Sequence, residues 1–166
     1  MPTTTLSELD AYRASFAQEG EITRRVLRAL PAAQADARPT PSSQSTREIA
    51  WTIVLTMMVV DPILAGELTP TGLPPAPANW NEILDAFDQT LTATMGKLAR
   101  LSESDLAGVV RMPVGPGKMG EVRRGDALRM FLHDQIHHRG QLSVHLRMTG
   151  EKVPSIYGPS GDERWY

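Results

Sequence analysis

The residues best suited to chemistry lie close together near the C-terminal end of the chain. All four histidines, His133, His137, His138 and His145, fall between positions 133 and 145. If this stretch is helical, each residue advances 100° around the axis. Asp134, His138, Gln141 and His145 then fall within about 60° of one another on one face. His133 and His137 form a second pair four residues apart on a face rotated backwards from the first. Two ligands at i and i+4 of a helix can point at one ion. Imidazole with carboxylate suits zinc, nickel or iron, and an open coordination position would leave room for chemistry. Histidines on a helix also serve as surface groups or hydrogen-bonded core residues, so spacing alone leaves both readings open. Leu128, Leu132 and Ile136 occupy the opposite face, and Phe131 and Leu142 flank the Asp/His face. A polar group buried between them needs a partner.

Composition narrows the classes. The 166 residues suit one domain, 1–166, with a real core. The formal net charge of −2 and the absence of a clustered basic patch argue against nucleic-acid binding. There is no cysteine, so disulfides, thiolate metal sites and cysteine nucleophiles are excluded. The N-terminal stretch carries no secretory pattern. The most apolar run, Ile49 to Leu64, is interrupted by Thr52, Thr56, Asp61 and Pro62 and reads as a buried helix, not a membrane span. The expected location is the cytoplasm. No G-x-S-x-G elbow or phosphate-binding loop is present.

Four segments have helical periodicity. Leu9, Tyr12, Phe16, Thr23, Val26 and Leu30 form one stripe, ended by Pro31. A second helix opens at Ser45, with Glu48 completing a capping box, and Pro62 kinks or ends it. A third starts at Asn79, with Glu82 as its capping partner, and carries a seam of Ile83, Leu84, Phe87, Leu91, Met95, Leu98 and Leu101. The fourth is expected from about Gly120 to Arg147, with Gly150 as terminator. Between the third and fourth lies a turn-rich stretch, with a short extended piece around Val109 to Met112. The expected fold is all-α: a four-helix bundle with long crossover loops and an irregular C-terminal tail, in which Ile156, Tyr157 and Trp165 pack back onto the bundle. Trp51, Phe87 and Phe131 are expected in the core, and Arg139 is expected to pair with an acid at a helix or subunit contact.

The run HDQIHHRGQLSVHLRMTGEKVPSIYGP, residues 133 to 159, resembles the last helix and tail of the DinB-like superfamily. RPTPSSQSTREIAWTIV resembles its second-helix region. The resemblance implies a four-helix bundle, usually a homodimer, that binds a divalent metal through three histidines and acts on a small-molecule substrate as a thiol-dependent transferase or hydrolase. Carried across by position, the triad reads Thr52, Asp134 and His138. Only His138 keeps the family residue, and a hydroxyl replaces the helix-two imidazole. His145, His137 and Gln141 are the candidate substitute or supporting ligands, and no catalytic residue is assigned. The alternative is a metal-free bundle that binds a small molecule or dimerises without catalysis.

Overall fold

The structure is a computed structural model that describes residues 6–69 and 71–166. Four long helices carry it: α1 (Glu8–Ala29), α2 (Thr46–Met58), α4 (Trp80–Leu98) and α6 (Arg124–Met148). Each packs on two of the others. α1 and α2 both contact α4 and α6, so α1 and α2 sit diagonally and the links between diagonal partners must be long. The α1 stripe is buried as its periodicity requires, from Leu9 through Leu30. Gly20 lets α1 close on α4, since a Cβ there would come within 2.6 Å of Leu91 Cδ1.

Helix α2 begins with the expected capping box: Ser45 Oγ accepts from Glu48 N, and Ser45 N donates to Glu48 Oε2 at 2.7 Å. The Ser45 N–H and the Arg38 guanidinium hold the Glu48 carboxyl down at about 2. Pro62 cannot donate to the carbonyl four residues back, and the helix breaks at Val59 before a short α3 (Val60–Ala65) ends at Gly66, φ 97°. The stretch Thr46–Ala65 is long and apolar enough to cross a membrane by length and composition, and here it is a central element packed against α4 and α6.

Several expectations need correction. The fold is mainly α-helical and not all-α, because the turn-rich stretch holds a short helix α5 (Glu103–Ala107) and an antiparallel hairpin, β1 (Val109–Gly115) with β2 (Lys118–Arg123). Gly117 at φ 65° makes its turn, and Val110 and Met112 point into the core. The last helix therefore starts at Arg124, since residues 118–123 are spent on the hairpin. In α4, Thr94 is buried and Met95 is 42% exposed, so the seam runs Ile83, Phe87, Leu91, Thr94, Leu98. Asn79 does cap this helix, but through the N–H of Asn81. On its other edge β1 takes up the crossover, with Arg111 N donating to Gly66 O and Leu68 N to Arg111 O, both at 2.9 Å.

Two long-range polar contacts orient α6. Arg139 is 1% exposed and pairs within the same chain with Glu19 of α1, Nη1 to Oε2 at 2.5 Å. Tyr157 of the tail closes the network: its hydroxyl accepts from Arg139 Nη2 at 2.6 Å and donates to Glu19 Oε2 at 2.9 Å. The tail has no regular structure, and Ile156 packs against the core. Trp165 stays 60% exposed, with its indole N–H on Ser155 Oγ at 3.0 Å. On the side of α6 facing α2, buried His145 places Nδ1 2.9 Å from Thr46 Oγ1. That bond fixes how far α2 slides along α6.

Both contacts make testable claims. Removing one member of a buried ion pair leaves the other unpaired, so Glu19→Gln should cost about 3 kcal/mol in urea unfolding. The joint change Glu19→Leu/Arg139→Met should cost less than the sum of its singles. Burial of His145 disfavours its charged form and lowers its proton affinity below the usual histidine value. The unfolded chain therefore takes up a proton first as pH falls below about 6.5, and the stability His145 provides at neutral pH is lost through that window, above the carboxylate range. Thermal scans from pH 7.5 to 5 should show a falling midpoint, and His145→Gln should flatten that dependence.

Candidate functional site

The face of α6 turned toward α2 carries the candidate residues. Asp134 Oδ2 and His138 Nε2 lie 3.5 Å apart across one helical turn. On the other side of the ring, His138 Nδ1 is 2.8 Å from Gln141 Oε1. That contact holds the imidazole from its Nδ1 side, and Nε2 faces the Asp134 carboxylate. The His138 side chain is 14% exposed and that of Asp134 44%, so the pair lies at the edge of the bundle with the imidazole the better covered of the two. The carboxylate is open to a hydrogen-bond donor or a cation arriving from solvent.

The remaining candidates do not converge on that point. Thr52 is half-buried on α2, and its hydroxyl donates to the Glu48 carbonyl of its own helix at 2.9 Å. Its outer side borders an open cleft with Gln44, Glu48, Trp51 and Pro74. His145 lies about 10 Å further along α6 than His138, seven residues at 1.5 Å each, and is held by Thr46. His137 is exposed and touches His138 only edge-on, with ring centroids 5.3 Å apart. His133 is also exposed and lines a separate cleft toward α1, beside Tyr12 and Glu19. Among the described residues no three His, Asp or Glu side chains come together in a way that could hold a metal ion.

The donor set therefore offers one carboxylate and one imidazole. Its nearest family-position companion is a neutral hydroxyl already bonded to the backbone. Structural zinc takes four protein ligands and catalytic zinc ordinarily three. These residues do not fit a tightly held divalent ion.

A second cavity, about 280 Å³, opens one turn beyond Gln141, between Ser43, Gln44 and Ile49 on one side and Gln141 and His145 on the other. Sequence reading placed Gln141 and His145 here but missed the 39–44 loop as the opposite wall. The signal for it was weak: a run of small polar residues and prolines preceding the Ser45 cap. The first-turn N–H groups of α2 are already occupied, with Thr46 N on Ala37 O, Arg47 N on Ala35 O and Glu48 N on Ser45 Oγ. This helix start therefore offers nothing to an anion. No Asp, Glu, Lys or Arg lines the cavity, whose surface is mostly apolar, from Pro39, Ile49 and Val144, with polar groups from Ser43, Gln44, Gln141 and His145.

Similarity to known proteins agrees with the bundle. The chain is 28% identical over 160 residues to the uncharacterized protein YrdA of Bacillus subtilis, covering 93% of this chain and 91% of YrdA. A crystal structure of a DinB-like protein from Bacillus cereus superposes with a TM-score of 0.71 at 25% identity, covering 88% of this chain and 95% of that one. YfiT from Bacillus subtilis, described as a probable metal-dependent hydrolase with an unusual four-helix bundle topology, superposes with the same TM-score at 12% identity, over 92% of this chain and 94% of YfiT. At that identity the likeness shows the fold alone. The DinB family model matches residues 1–164, and with the bundle and the HHRGQ helix in place, the chain belongs to the DinB family.

Proposed function

We propose that this DinB-family chain binds a small molecule between α2 and α6, against Asp134, His138 and Gln141, without a resident metal ion. The observation that carries this reading is the facing of Asp134 Oδ2 and His138 Nε2 at 3.5 Å, with Gln141 fixing the far side of the ring. The partly exposed Asp134 carboxylate can accept from a ligand N–H or O–H beside the fixed imidazole. The neighbouring cavity at Gln141 and His145 gives such a ligand room. A cytoplasmic homodimer with neither nucleic-acid nor membrane partners completes the proposal, on the grounds of charge, composition and family habit.

The second reading is a metal-assisted transferase or hydrolase; YfiT is described as a probable metal-dependent hydrolase. One observation favours it. A metal-bound histidine commonly has its other ring nitrogen fixed by a second hydrogen bond, as Gln141 fixes His138. In that case Asp134 and His138 would hold zinc, nickel or iron with Thr52, and the ion would act as a Lewis acid on a bound water or thiol.

Metal analysis separates the two. The native protein should carry well under one equivalent of zinc, nickel or iron. Thr52→His should tighten zinc binding by at least about tenfold, or about 1.4 kcal/mol, because it puts an imidazole at the helix-two position that the family resemblance assigns to a metal ligand. Stoichiometric metal in the native protein that is lost in Asp134→Ala/His138→Ala would establish the metal-assisted reading instead.

A further inference from the structure

An apolar pit of about 190 Å³ lies at the other end of the same α6 face. Val59, Leu68 and Met112 are buried and form its floor, and Phe131 lines a side. Leu73, 52% exposed, and Met130, 46% exposed, form its rim. The walls come from four separate segments: the end of α2, the crossover, β1 and α6. The hydrogen bonds between Gly66, Leu68 and Arg111 hold the crossover and β1 against each other. An apolar cavity of about 150 Å³ is enough to admit benzene, so this pit suits a single ring or a chain of about six carbons. Two methionines in its lining can adjust to the shape of the occupant.

The pit is aligned with the polar pair. Asp134 follows Met130 by four residues and His138 follows Asp134 by four, so all three share one face at steps of about 6 Å. On α2 the same order appears in reverse: Val59 borders the pit, while Thr46 is bonded to His145 two turns beyond His138. An apolar recess and the Asp134–His138 pair therefore lie about one helical turn apart on the same surface.

We propose that the pit receives the alkyl or aryl group of a small ligand whose alcohol or amine head donates a hydrogen bond to Asp134, beside His138. This deepens the small-molecule reading and rests on it. The ligand class is a primary alcohol or amine carrying a chain of about six carbons or one ring. No covalent step is involved.

Methionine-methyl NMR on the metal-depleted full chain, titrated with 1-hexanol, tests this directly. The Met112 and Met130 signals, assigned by Met112→Leu and Met130→Leu, should move saturably while the exposed Met95 signal stays in place. Narrowing the rim with Met130→Trp should weaken binding at least about tenfold. Leu73→Trp, from the opposite rim, should do the same and covers the case in which the first variant folds poorly. Hexyl methyl ether, which has no donor, should bind at least about fivefold more weakly than 1-hexanol. Unmoved Met112 and Met130 signals, or binding indifferent to both rim variants, would overturn the pit. Equal binding of the ether would overturn the head-group assignment. Metal found on Asp134 and His138 in the native protein would remove the metal-free reading, while the methionine response in metal-depleted protein would still decide the pit.

Discussion

The buried pairing of Arg139 with Glu19 is the constraint on which the rest of the site depends. A guanidinium 1% exposed has to meet its carboxylate, and Glu19 on α1 is the group that meets it. That requirement fixes the rotation of α6 about its own axis. His138 precedes Arg139 by one residue, so turning Arg139 toward α1 turns His138, Asp134 and Gln141 toward α2. The tail reinforces the arrangement, because the Tyr157 hydroxyl bonds to both members of the pair. The Thr46–His145 bond then sets the position of α2 along α6. Rotation and translation of the two helices that line the site are thus each set by one buried polar contact.

These contacts also explain why the histidines do not act together. His145 is committed to Thr46, which fixes α2, and is not free to serve as a ligand two turns away. His133 and His137 lie on the solvent side because Leu132, Gln135 and Arg139 take the inward positions between them. What remains near His138 is one carboxylate and one amide. The chain keeps the family's fold, and among the described residues no three His, Asp or Glu side chains come together as a metal site.

Features governed by local rules were legible in the sequence. The Ser45–Glu48 capping box, the α1 stripe, the left-handed Gly150 after α6 and the shared face of Asp134, His138 and Gln141 all follow from spacings of a few residues. Features set by distant partners were not. An acidic partner for Arg139 could be expected, but nothing near position 139 identifies Glu19, 120 residues away. The commitment of His145 to Thr46 was hidden for the same reason, which left it looking like a spare ligand. The hairpin was only half visible: Val110 and Met112 alternate, but β2 has no comparable apolar alternation, and its pairing comes from the Gly117 turn. The apolar pit draws its walls from four segments, and no single stretch of sequence announces it.

The central claim is that His138 is held by protein groups alone, with Gln141 against Nδ1 and Asp134 facing Nε2. Nitrogen-15 spectra of the imidazole rings, recorded on the protein as purified and again after treatment with a chelator, test it most directly. The account predicts no change in the His138 ring signals on chelation. A His138 Nε2 signal that shifts when the chelator is added would show a metal ion on that nitrogen and contradict the account.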